Sequence, residues 1–111
     1  MIFLYVIKKY EESYKEQLIG FITEILVDEF GFEQFREPLK NVEFCDNKNK
    51  FNWIALDEKN NIIGTITLEK KDEIEAGLRK FYVKKEYRGS GLSKELFNSL
   101  LDFAKDRKRI N

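Results

Sequence analysis

At 111 residues and 13.3 kDa the chain has room for one domain, 1–111, because dividing it would leave neither half enough buried surface for a second core. A hydrophobic content of 42%, with ten Phe and five Tyr, excludes global disorder although 36% of the residues are charged. Twenty basic and twenty acidic residues cancel, which argues against long-range attraction to nucleic acid or an anionic membrane, and the lack of histidine removes the Ser-His and Cys-His nucleophile pairs and the commonest metal ligand.

The opening MIFLYVIKKY places its apolar run before its lysines, the reverse of a signal peptide. No stretch approaches the roughly 18 to 20 apolar residues needed to span a bilayer, so the expectation is a soluble, cytoplasmic protein. Ile2 to Ile7 is a β-branched and aromatic run that predicts a strand ending at Lys8–Lys9. From Ser13, an N-cap candidate with Glu16 three residues on as a capping box, Leu18, Ile19, Ile22, Ile25 and Leu26 recur at helical spacing. This first helix closes near Gly31.

Between Phe32 and Phe44 the steps Phe35, Leu39 and Val42 are helical, but Pro38 must sit in a first turn or break the segment, which predicts a short helix plus loop. Cys45 follows; a lone cysteine forms no intrachain disulfide and fits a reducing compartment as an ordinary thiol. FNWIAL, then DEKNN, then IIGTITL predicts an antiparallel hairpin. Glu75 to Val83, EAGLRKFYV, is a further adjacent strand. Leu92, Leu96, Phe97, Leu100, Leu101 and Ala104 give the last helix a broad apolar face. The order strand, helix, helix, strand, strand, strand, helix predicts an α/β (α+β) sandwich on a mainly antiparallel sheet.

The stretch EYRGSGLSKELF, Glu86 to Phe97, sets Gly89 and Gly91 between the last strand and the last helix. The first N–H groups of a helix have no intrahelical acceptor and carry the positive end of its dipole, so such an end suits an anion. Without Cβ atoms the loop turns tightly and admits a phosphate to its amides, with the Arg88 guanidinium alongside for a charge-assisted contact. An isolated G-x-G also fits a plain strand-to-helix turn. The stretch is not a Walker A loop, since Lys94 lacks a preceding glycine and Glu95 follows it, nor is it G-x-G-x-x-G.

FYVKKEYRGSGLSKELFNSLLDFAK, Phe81 to Lys105, resembles the acetyl-coenzyme A motif of the GNAT superfamily of N-acetyltransferases: a hydrophobic strand, Arg/Gln-x-x-Gly-x-Gly/Ala, and a helix. Arg88, Gly91 and Ser93 occupy the three signature positions, with Ser93 departing from the usual Gly or Ala. The order of elements matches the same family over essentially the whole chain, although only Phe81 to Ser93 is specific. The resemblance implies a GNAT-like sheet with helices on both faces, acetyl-coenzyme A as cofactor, and a pyrophosphate cradled by the amides of Gly89, Ser90, Gly91, Leu92 and Ser93. It also implies that the strand end Phe81, Tyr82 and Val83 pairs with the pantetheine arm through its main chain.

The activity so implied is acetyl transfer from acetyl-coenzyme A to a small-molecule or peptide amine in a complex holding both substrates. Family members that use a carboxylate base carry Glu six residues before the valine matching Val83; that position is Gly77, and Glu75 lies two residues earlier on the same face of a regular strand, making it the candidate base, directly or through water. As an alternative, Glu75 is a solvated charge at a strand start. The chain stops at Ile110–Asn111, where the family's fifth strand begins, so the expectation is a fold truncated after the third helix. The tyrosine commonly proposed to protonate the leaving thiolate would then be missing. The Glu75–Val83 edge would be uncovered, and a homo-oligomer through that edge is expected.

Acceptor choice in the family comes largely from the first two helices and their loop, here about Ser13 to Phe44, where Phe30, Phe32, Phe35 and Arg36 are pocket candidates. The aromatics among them equally suit a core that must absorb ten Phe. Two rivals stand beside the transferase: a non-catalytic coenzyme A-binding or protein-interaction module, and nucleic-acid binding through KDRKR, Lys105 to Arg109. The second is disfavoured by zero net charge and by a basic run that suits a helix C-terminus.

Overall fold

In the computed structural model, which describes residues 4–42, 44, 50–70 and 76–110, alternation along one strand decides the layering. Over Lys50–Asp57 (β2) the residues Trp53, Ile54, Ala55 and Leu56 are all buried, so each face of this strand carries an apolar layer. Ile54 and Leu56 pack with Leu18, Phe21, Ile22 and Ile25; Trp53 and Ala55 pack with Leu92, Leu96 and Leu100. The apolar stripes of two helices thereby settle on opposite sides of one sheet.

The other strands are Tyr5–Lys9 (β1), Ile62–Lys70 (β3) and Ala76–Val83 (β4). They form a four-stranded sheet in the order β1-β2-β3-β4, antiparallel throughout. The β2–β3 hairpin turns where the Asp57 carboxylate accepts the N–H groups of Lys59 and Asn61, each at 2.9 Å, and Asn60 takes φ 63°, a side-chain turn that suits Asp and Asn. The fold class expected from the sequence is the one observed, with helices on both faces.

Three local features depart from the expectation. The first strand is shifted toward the lysines, and Lys9 stays in it because its ammonium lies 4.4 to 4.9 Å from the ring centres of Trp53, Phe51 and Phe103, a cation–π setting reached by an apolar stem. Ser13 does not cap: it lies within a 3-10 turn, Glu12–Tyr14, and the helix Lys15–Thr23 (α1) begins after Tyr14 with no side-chain cap. The predicted closure at Gly31, φ 78°, is present, but it is reached through a wider π turn, Glu24–Glu29, in which the Phe30 N–H donates to the Ile25 carbonyl at 3.1 Å.

Arg36–Leu39 (α2) is the expected short helix, with Pro38 in its single turn. Ahead of it Phe30, Phe32 and Phe35 are 53%, 45% and 41% exposed, which overturns their assignment to the core. They stack on one another at the surface, with centroids 6.4 and 6.2 Å apart, while Arg36 pairs with Glu33 and Asp28. Leu92–Ile110 (α3) crosses the opposite face. An added Cβ at Gly64 would sit 3.0 Å from Leu96 Cδ1, so glycine there is what lets the helix lie close to β3.

Candidate cofactor-binding site

Past Val83 the backbone makes a 3-10 turn, Lys85–Tyr87, and reaches α3 through Arg88, Gly89, Ser90 and Gly91. Gly89 and Gly91 have φ 85° and 93°, a left-handed conformation that costs a residue with a Cβ about 1–2 kcal/mol. The Ser90 amide donates to the Tyr87 carbonyl at 3.2 Å. Its hydroxyl donates to the same carbonyl at 2.5 Å and accepts from the Leu92 amide at 3.4 Å. Ser90 and Leu92, both expected among the cradle residues, thus spend their amides inside the loop.

Among the described residues the amides of Gly89, Gly91, Ser93 and Lys94 meet no acceptor. A Cβ added at Gly89 or Gly91 meets no atom within 4 Å. The space above the loop is therefore open, and four donors stand at the positive end of a 19-residue helix. A diphosphate fits this arrangement on geometry as well as charge. Lys94 joins the set although the motif did not single it out; the general rule of unpaired first-turn amides finds it.

Arg88 is turned away from that space. Its Nε donates to the Val83 carbonyl at 3.1 Å, its Nη1 and Nη2 both donate to the Glu29 carboxylate, the latter at 2.8 Å, and its Cζ lies 5.9 Å from the Phe30 ring centre. The hydrogen bonds from Arg88 hold Glu29 below the usual carboxylate value of 4.5. With its folded value depressed, the pair contributes above the unfolded value and is lost as pH falls through the folded one. A cleft of about 230 Å³ separates Glu24, Asp28 and Glu29 from Lys84 and Lys85.

The rest of the expected site lies along β4. Phe81 is exposed, Tyr82 is half-buried with its hydroxyl pKa raised by burial, and Val83 is buried against α3. The outer edge of β4 pairs with no strand among the described residues. Between Thr65↔Tyr82 and Thr67↔Arg79 the register slips by one residue, and Lys80 in this bulge has φ 49°. Burial, and then Lys50, lowers the Lys80 pKa. The slip turns Arg79 and Gly77 to the face carrying Tyr82 and α1, opposite to Val83. Glu75 lies outside the described residues.

A profile of the acetyltransferase (GNAT) family matches residues 7–111. The crystal structure of a GNAT-family acetyltransferase from Staphylococcus aureus Mu50 superposes with a TM-score of 0.82 at 32% identity, over 95% of this chain and 68% of that one. An acetyltransferase from Streptococcus agalactiae 2603 gives 0.75 at 27% identity, over 94% and 68%. An aminoglycoside 6'-N-acetyltransferase complexed with coenzyme A shares the fold at 18% identity, TM-score 0.69, over 93% and 57%. Among curated proteins none matches. No helix of the described residues is long and apolar enough to cross a membrane, and no group of metal-ligating side chains occurs among them. With the antiparallel sheet, the glycine loop at the start of α3 and the full-length profile match in agreement, the chain belongs to the acetyltransferase (GNAT) family, whose cofactor is acetyl-coenzyme A.

Proposed function

We propose that this chain, acting as one domain over 1–111, binds acetyl-coenzyme A and transfers its acetyl group to an amine. The observation that carries the reading is the row of unspent amides at Gly89, Gly91, Ser93 and Lys94 facing open space. These hold the diphosphate; Arg88, Ser90 and Leu92 shape the loop; and Phe81, Tyr82 and Val83 present the main chain along which the pantetheine arm runs. The bound cofactor supplies an activated acetyl thioester.

An amine with pKa near ~10 is mostly protonated at neutral pH, so a base must take its proton. We assign that role to Glu75, directly or through water. Family members place their carboxylate at the position of Gly77, and the bulge brings Gly77 onto the α1 face. Glu75→Gln is expected to lower kcat/KM and flatten the acid limb of the pH–rate profile; an unchanged profile removes Glu75 from the mechanism. The acceptor is a small-molecule or peptide amine, and a cytoplasmic location and no nucleic-acid role complete the reading.

Calorimetric titration with coenzyme A, run beside a thiol-release assay on an amine panel, tests the proposal. Binding with turnover supports it. Binding without turnover selects the non-catalytic module instead, and no binding overturns both. The open outer edge of β4 supports pairing with a second copy; light scattering that stays monomeric at high concentration would remove the homo-oligomer.

A further inference from the structure

We propose that Glu29 is a positioning residue for the cofactor loop, fixing the Gly89–Ser93 backbone through the Arg88 guanidinium. The inference rests on the reading of that loop as the coenzyme A site. Arg88 directly precedes Gly89, so its orientation sets where the loop leaves β4. The guanidinium is held on two edges and a face: Nε on the Val83 carbonyl, Nη1 and Nη2 on the two Glu29 oxygens, and Phe30 at 5.9 Å from Cζ. A planar fork bound bidentately and stacked on a ring has a fixed orientation, which a lysine would not reproduce. The carboxylate that closes this fork comes from 59 residues earlier, from the last residue of the π turn that ends α1.

Two features separate this contact from an ordinary surface ion pair. The first is its place: one partner is the residue at the root of the phosphate loop, and the other lines the cleft beside it. The second is that it gives up a cation. An arginine facing an open anion site, with Val83 as its second anchor, is drawn by Glu29 onto the protein, so the phosphates are left to main-chain donors whose geometry the fork defines. The side chains of Arg88 and Glu29 are 39% and 25% exposed, a setting in which an ion pair contributes little to global stability. Its consequence is therefore expected in ligand affinity rather than in melting.

The test is calorimetry with coenzyme A on the wild-type chain, Glu29→Gln, Glu29→Asp, Arg88→Gln and the Glu29→Gln/Arg88→Gln pair, with thermal midpoints recorded alongside. Glu29→Gln keeps the shape and removes the charge; it is expected to weaken binding roughly tenfold, a loss typical of a displaced positioning group, while the midpoint stays within about 2 °C. Arg88→Gln should weaken binding at least as much, the pair should be no weaker than Arg88→Gln alone, and Glu29→Asp should recover part of the loss. If wild type binds and Glu29→Gln binds equally or more tightly, or if the two penalties add in full, the positioning role is overturned. A wild-type chain that takes up no coenzyme A overturns the cofactor reading itself, a result distinct from the others.

Discussion

Titration of Gly91→Val with coenzyme A is expected to show at least about a tenfold loss of affinity, equivalent to about 1.4 kcal/mol. Two effects combine. At φ 93° a β-branched residue is strained, at a cost of about 1–2 kcal/mol, and relief of that strain would swing the neighbouring amides off their common target. The new side chain also fills the open space that the added-Cβ test finds within 4 Å of Gly91, which is where a phosphate would approach. Because that Cβ meets no protein atom, the folded core has no reason to fail. Circular dichroism should therefore report a native spectrum, with a thermal midpoint lowered by several degrees. Undiminished affinity in Gly91→Val would show that the ligand does not approach the loop there.

Leu96→Ala should produce the largest change in stability, a loss of about 2–5 kcal/mol from a domain whose total is on the order of 5–15 kcal/mol. Leu96 is fully buried, belongs to the cluster that joins α3 to β2 and β3, and reaches into the place that Gly64 leaves open. A neighbour already in contact with backbone cannot collapse into the vacated volume. Urea unfolding reads the effect as a lowered midpoint at an unchanged slope. A shift corresponding to less than about 1 kcal/mol would mean that α3 is free to settle onto the sheet, contrary to the packing described.

The two predictions mark what sequence makes legible. Strand and helix order follows from apolar periodicity, and α3 is plain because Leu92, Leu96 and Leu100 recur every fourth residue and are all buried. The glycine loop is legible because only left-handed backbone at a helix start calls for that residue in that place. Contacts between distant segments are hidden. Nothing near Arg88 announces that its partner is Glu29, and no local pattern forecasts that a β4 bulge at Lys80 reverses the facing of Gly77 relative to Val83. Composition misleads over Phe30, Phe32 and Phe35, since burial is the average fate of phenylalanine and these three surround an arginine at the surface instead.

The π turn that closes α1 carries an evolutionary constraint on length. A turn with bonds reaching five residues back accommodates one residue more than a regular helix would, and the Phe30 to Ile25 bond is of that kind. Deleting any one position between Glu24 and Asp28 would restore ordinary winding and rotate whatever follows by about 100°, carrying the Glu29 carboxylate around the cylinder and out of the reach of Arg88. Homologues that keep the arginine and its acidic counterpart should therefore tolerate substitutions across this segment far better than they tolerate gaps in it.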